Sequence, residues 1–291
     1  MPQPPPDAAP VPLQLRAADG RSLAALIDAP VGPPRASLVI IPAFGVPMRY
    51  YRHFAAWMAR HQIAVLRVDL RGVGDSADRP LREDPATMEE WGRLDQTAAL
   101  QAAAERWPEA PRWALGHSFG GQALGMSPAA LGVAGALVVA AAVGDLRLFP
   151  TWDRWRYSLL LRGVVPAVVG ALGYGPRWLQ LGEPLPASAL RQWARWAGTP
   201  EYLRGALPAD SLYYDQITAR MTFFELSDDR MVAPAAAARL RAWYPRATVR
   251  RRLVAPAELG LRHIGHFGFF RPGPTEALWA ECRDEVLAAP A

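Results

Sequence analysis

Six residues constrain this chain more than any others: Gly116-His117-Ser118-Phe119-Gly120-Gly121, placed directly after the apolar run Trp113-Ala114-Leu115. Gly116, Ser118 and Gly120 fit the G-x-S-x-G pattern, in which a strand ends in a sharp turn and passes at once into a helix. The turn lifts the Ser118 hydroxyl to its apex, facing a cleft. It also forces the serine into a strained backbone conformation that only small neighbours tolerate, which accounts for glycine on both sides. A chain carrying this turn needs a buried strand before it and a helix after it.

The remaining hydrophobic pattern supplies such a framework. Leu13–Arg16 and Ser22–Asp28 read as two strands joined by the Asp19-Gly20 turn. Ser37–Ile41, Ala64–Asp69, Arg112–Gly116, Ala134–Ala142, Met221–Leu226 and Thr248–Leu253 read as further strands. Several are continuous apolar runs, as expected of strands buried on both faces. Helical spacing covers Tyr51–Gln62, Met88–Trp107, Gly121–Leu131, Ala233–Trp243 and Pro274–Leu287. Strands alternating with helices imply an α/β fold: a mostly parallel eight-stranded sheet with helices on both faces.

Two regions fall outside this alternation. Residues 1–12 are rich in proline, lack the basic start and apolar centre of a signal peptide, and read as a disordered tail. Residues 146–214 are dense in Trp, Tyr, Pro and Arg without a strand-like run, and read as an inserted helical cap. The core is then 13–145 together with 215–291. Within the cap, Leu159–Tyr174 is the most apolar long stretch. It is interrupted by Arg162, Pro166 and several glycines, too short and broken to span a bilayer, with a surface-seeking amphipathic element as an alternative.

Composition removes some functions. The chain of 291 residues carries a net charge of +5, and all its basic residues other than histidine are arginine. They are spread along the chain without a nucleic-acid-binding motif, so nucleic acid is not an expected partner. One cysteine, Cys282, leaves no internal disulfide and no cysteine-based metal cluster, and suits the cytoplasm. A homodimer is left open.

A serine hydroxyl needs a base to become a nucleophile. His266, in Gly265-His266-Phe267-Gly268 after the last strand, is the candidate. His117 adjoins the serine but should point into the sheet packing. The histidine needs an acid to hold its tautomer, and Asp229 and Asp228 compete, with Asp145 a weaker third. The oxyanion of a tetrahedral intermediate needs two N–H donors. The Phe119 amide follows the nucleophile at a helix N-terminus, and the Phe44 amide lies in the loop after the third strand. Tyr50 and Tyr51, just beyond that loop, and Trp152 in the cap are candidates to line the substrate cleft.

Together these blocks resemble the α/β-hydrolase superfamily over essentially Leu13 to Leu287. Ser118, Asp229 and His266 stand in the chain order of that superfamily, and Asp229-Arg230-Met231-Val232-Ala233-Pro234 resembles its D-R-x-V-P-P string, which favours Asp229 over Asp228. Asp69-Leu70-Arg71-Gly72-Val73-Gly74-Asp75-Ser76 resembles its D-x-R-G-x-G-x-S loop, for which a structural role is expected. Pro42-Ala43-Phe44-Gly45 departs from the usual His-Gly-x-Gly, although a backbone donor survives that change. The elbow, Gly173-Tyr174-Gly175-Pro176, Trp193-Ala194-Arg195-Trp196 and Ile264 through Arg271 are similar to a bacterial group of predicted α/β-hydrolases. The superfamily resemblance implies cofactor-free Ser-Asp-His hydrolysis. The expected reaction is cleavage of a carboxylic ester or thioester with a small to medium apolar acyl group. An amidase or iminopeptidase, an acyltransferase, and a non-catalytic ligand-binding protein are the alternatives.

Overall fold

The computed structural model describes residues 9–288. Its sheet has eight strands: β1 (Val11–Arg16), β2 (Ser22–Asp28), β3 (Ala36–Ile41), β4 (Ile63–Val68), β5 (Arg112–His117), β6 (Gly135–Val139), β9 (Arg220–Leu226) and β10 (Thr248–Val254). Between β6 and β9 lie two-residue strands β7 (Tyr174–Gly175) and β8 (Leu185–Pro186), which pair only with each other. The large sheet runs β1-β2-β4-β3-β5-β6-β9-β10. β1 and β2 form an antiparallel hairpin, β2 meets β4 antiparallel, and every later pair is parallel.

Side-chain alternation explains why the central strands are apolar throughout. Val39 and Ile41 enter one core with Leu66, Ala114 and Val138, while Leu38 and Ile40 enter the core on the opposite face with Val65, Leu115 and Leu137. Successive residues of a strand point to opposite faces, so a sheet covered by helices on both sides needs apolar residues at both parities. The edges differ. Pro12, which lacks an N–H, is tolerated in edge strand β1. At the other edge β10 presents Arg250, Arg251 and Arg252, which pair with Glu285, Glu225 and Glu281, a charged edge that discourages further strand pairing.

Three expectations need correction. Val11 and Pro12 belong to β1, not to a tail, while residues 1–8 of that tail lie outside the described residues. The helix after the elbow ends at Ala123, far short of Leu131, and continues as 3-10 turns over Leu124–Met126 and Pro128–Gly132. Ser127 precedes a proline and takes an extended conformation, which stops the helix. The expected strandless insertion contains the β7–β8 pair beside its helices, Thr151–Leu159, Val165–Leu172 and Ala187–Ala197.

Strand order positions the site. From β3 the chain crosses to β4 on one side, and β5 then pairs on the other side. Connections that leave neighbouring strands in opposite directions open a crevice at their C-terminal ends. The loop after β3 holds Phe44, and the turn after β5 holds Ser118.

Candidate active site

Ser118 has φ 51° and ψ −111°, a region that side-chain-bearing residues seldom occupy. The packing around it accounts for its glycines. A Cβ at Gly116 would lie 2.5 Å from Gly121 Cα, and one at Gly120 would lie 2.1 Å from the Ile41 carbonyl oxygen. Strand and helix cross so closely here that a methyl group at either position would push the elbow apart.

His266 and Asp229 are both buried, with His266 Nδ1 2.7 Å from Asp229 Oδ2. The carboxylate accepts, so Nδ1 carries the proton and Nε2 is left as a basic nitrogen. The Met231 amide donates to Asp229 Oδ1 at 2.8 Å and holds the carboxylate in place. Asp228 points elsewhere. It accepts the amides of Ile264 at 2.8 Å and Gly265 at 3.1 Å, and pairs with His263 Nδ1 at 2.6 Å. These backbone hydrogen bonds help hold its carboxyl below the usual carboxylate range against the upward push of burial. Neighbouring carboxylates thus divide the work, Asp229 on the imidazole and Asp228 on the loop carrying it. Asp145 binds Arg147 and the Glu201 amide, away from His266.

Ser118 and His266 open onto one cavity of about 80 Å³. Apart from them and Gln122, its wall is almost wholly apolar, with Leu146, Phe149, Leu161, Trp193 and Val232 prominent, and it includes no carboxylate. Phe119 is the first residue of the elbow helix, so its amide has no intrahelical acceptor. The Phe44 amide has no hydrogen-bond acceptor among the described residues. The Phe44 ring packs against Trp193 at 4.8 Å and Trp91 at 5.4 Å, which anchors this loop between the insertion and the core. The Glu183 amide donates to the Gly45 carbonyl at 2.8 Å, joining insertion and loop a second time.

The three expected cleft-lining residues are elsewhere. Tyr51 is fully buried beneath the site, Tyr50 donates to the Phe267 carbonyl, and Trp152 is 67% exposed on the outside of the insertion, stacked on Trp155. Sequence proximity to Phe44 suggested the tyrosines, but a 3-10 turn over Met48–Tyr51 swings the second one inward. Tyr157 and Leu161, four residues apart on one helical stretch, face the cavity in place of Trp152. That spacing was the available sequence signal.

One linkage lay beyond local reading. His117 points into the packing as expected, yet it ties three loops together. Its Nε2 lies 3.0 Å from the His266 carbonyl and its Nδ1 2.9 Å from the Tyr51 hydroxyl, which accepts the Ala43 amide at 2.9 Å. Only one set of protons fits. Nε2–H donates to the carbonyl, Tyr51 donates to Nδ1, and Ala43 N–H donates to Tyr51. Burial lowers the His117 pKa to about 3 and raises that of Tyr51, so both remain neutral. The chain runs from the residue before Phe44, through the residue before Ser118, to the backbone of His266.

The Asp69–Ser76 loop has the structural role expected of it. Arg71 donates to Asp95 at 2.8 Å and Asp19 at 2.6 Å, and Ser76 donates to the Asp69 carbonyl at 2.7 Å. Burial raises the Asp69 pKa to about 6 although it accepts two backbone amides.

The strand order, the strained serine after β5 and the histidine–carboxylate pair beyond the last strands define an α/β-hydrolase. Residues 32–222 match the family model described as serine aminopeptidase, S33, which spans well over half of the chain. The protein belongs to this family of hydrolases and is an enzyme. No curated protein sequence matches it. Its fold is similar to that of a thermostable carboxyl esterase from Bacillus coagulans (TM-score 0.60, 14% identity, 96% of this chain and 97% of that one). A monoglyceride lipase variant from Saccharomyces cerevisiae superposes with TM-score 0.63 at 15% identity, over 98% of both chains. A putative aryl esterase from Burkholderia cenocepacia gives 0.58 at 17% identity, over 95% and 98%.

Proposed function

We propose that the protein is a serine esterase that cleaves a carboxylic ester or thioester with a small to medium apolar acyl group through an acyl-enzyme. Ser118 attacks the carbonyl carbon while His266 Nε2 takes its proton. Asp229 stabilises the imidazolium that forms. The Phe44 and Phe119 amides hold the oxyanion. His266 then protonates the leaving alkoxide or thiolate, and the same groups activate water to release the acid.

The observation that carries this reading is the buried 2.7 Å His266–Asp229 pair opening onto the cavity that holds the strained Ser118. The apolar wall supports an apolar acyl group, and residues 146–214 act as the cap that shapes it. The ester, lipase and aryl esterase chemistry named for the similar structures supports an ester over an amide. An aminopeptidase reading, which the family description invites, calls for a carboxylate to hold a free amine. The cap carboxylates Glu183 and Glu201 are otherwise engaged, Glu183 with Arg49 and Arg177, and Glu201 with Arg239. A fluorophosphonate probe tests the proposal. Wild type should label and Ser118→Ala should not, and equal labelling of the two would overturn it.

A further inference from the structure

The cap carries an apolar face that reaction chemistry does not use. Thr151–Leu159, the π-helical turn Leu160–Val164 and Val165–Leu172 follow one another without a break, forming a helical rod. Its inner side supplies Tyr157 and Leu161 to the reaction cavity. Its outer side exposes Trp152 (67%), Trp155 (57%) and Leu159 (53%). Positions three and four apart lie on one face of a helix, so these side chains form one continuous stripe. The two indoles stack with their rings 5.4 Å apart, which fixes them as a flat aromatic platform in solvent.

Charge decides what would cover this stripe. Across Thr151–Leu172 the rod carries Arg154, Arg156 and Arg162 against a single carboxylate, Asp153, which binds Arg156. Arg156 and Arg162 border the stripe, four residues from Trp152 and three from Leu159, and both are exposed, whereas Arg154 shares the helix face of Tyr157 and Leu161. A second copy is a poor occupant. A two-fold contact sets the same patch against itself and would press these arginines together. Aromatic and aliphatic side chains bordered by exposed arginines suit the boundary of a bilayer, where apolar groups enter the acyl layer and cations meet anionic headgroups. No described helix is long and apolar enough to cross a membrane, so this rod would lie along the surface.

We propose that the outer face of the cap, centred on Trp152, Trp155 and Leu159 and bordered by Arg156 and Arg162, docks the protein on an anionic lipid surface. The docked rod is itself a wall of the cavity, so an ester would come to Ser118 from that surface. Only this last consequence rests on the esterase reading.

Cosedimentation of the full chain with vesicles tests the docking. Wild type should bind vesicles containing phosphatidylglycerol and bind phosphatidylcholine vesicles far more weakly, and added salt should reduce the difference. Trp152→Ala with Trp155→Ala, and separately Arg156→Glu with Arg162→Glu, should each weaken anionic binding about tenfold or more. Both double variants should hydrolyse a soluble short-chain ester like wild type, which shows that they fold. Ser118→Ala should bind vesicles like wild type, so loss of turnover and loss of docking are read separately. Failure of wild type to bind anionic vesicles would overturn the proposal. So would binding indifferent to both double variants, or a dimer that the tryptophan substitutions split.

Discussion

The floor and the roof of the reaction cavity are built on opposite principles. The floor is a frame of short polar contacts around the groups proposed to react: Asp229 is held by Met231 and His266, the His266 loop by Asp228 and His117, and Ser118 by its strained turn. The roof is apolar packing from the insertion, with Tyr157, Leu161 and Trp193 as walls of the cavity. Polar geometry of this kind is lost when one partner is removed, whereas an apolar wall can yield and repack. Substitutions in the floor should therefore act on kcat, and substitutions in the roof on KM and on the choice of acyl chain.

The largest break should come from Ser118→Ala, which is expected to lower kcat for a chromogenic ester by roughly a millionfold, to the level left by binding and the oxyanion donors. Asp229→Asn should cost about ten-thousandfold in kcat, because the amide no longer selects the tautomer with Nε2 free. Asp228→Asn keeps an acceptor for the loop amides and should cost about tenfold or less. Equal losses at the two aspartates would dissolve the distinction drawn between them.

Tyr51→Phe tests whether the frame extends beyond the triad. It removes the donor to His117 and the acceptor of the Ala43 amide, leaving two buried polar groups without partners at about 1–3 kcal/mol each. Expected are a lower melting temperature and a kcat reduced about tenfold with KM little changed, since the proposed Phe44 donor would act on the oxyanion of the transition state more than on the ground-state carbonyl. A loss confined to stability would separate this network from catalysis. Trp193→Ala in the roof should raise KM severalfold and shift preference toward longer acyl chains, measured across an ester series.

A smaller effect should appear in the pH dependence of stability. The folded pKa of His117 is lowered to about 3 from 6.5 by burial, so the unfolded chain binds more protons between those values. Stability should then be intact above pH 6.5 and fall as pH drops through that window, by up to about 1.4 kcal/mol per pH unit from this group. Asp69 works the other way. Its folded pKa is raised to about 6 from 3.8, so its share of stability grows as pH falls between those values. Denaturant titrations of wild type and His117→Gln over that range should differ in slope by the His117 contribution.

Much of the site was legible because its parts obey local rules. The glycines of the elbow, the order of serine, aspartate and histidine, and the strand periods each declare themselves within a few residues. The choice between adjacent aspartates rested on a resemblance, and the sequence offered no distance with which to separate them. The cleft residues were misread for a related reason. Tyr50 and Tyr51 adjoin Phe44 along the chain, but a 3-10 turn swings Tyr51 inward and Tyr50 bonds to the Phe267 carbonyl. Trp152 shares a helical rod with Tyr157, and only packing decides which side of the rod faces Ser118.

Backbone chemistry and hydrophobic period by themselves determined that this chain forms a doubly covered, mostly parallel sheet with a strained serine after its fifth strand, because those constraints act between neighbours. Only the tertiary structure decided that Asp229 meets the imidazole, that His117 joins three loops, and that the cap turns Trp152 and Trp155 outward. Each of those outcomes depends on groups dozens of residues apart sharing a few ångströms, and no periodicity along the chain encodes such a distance.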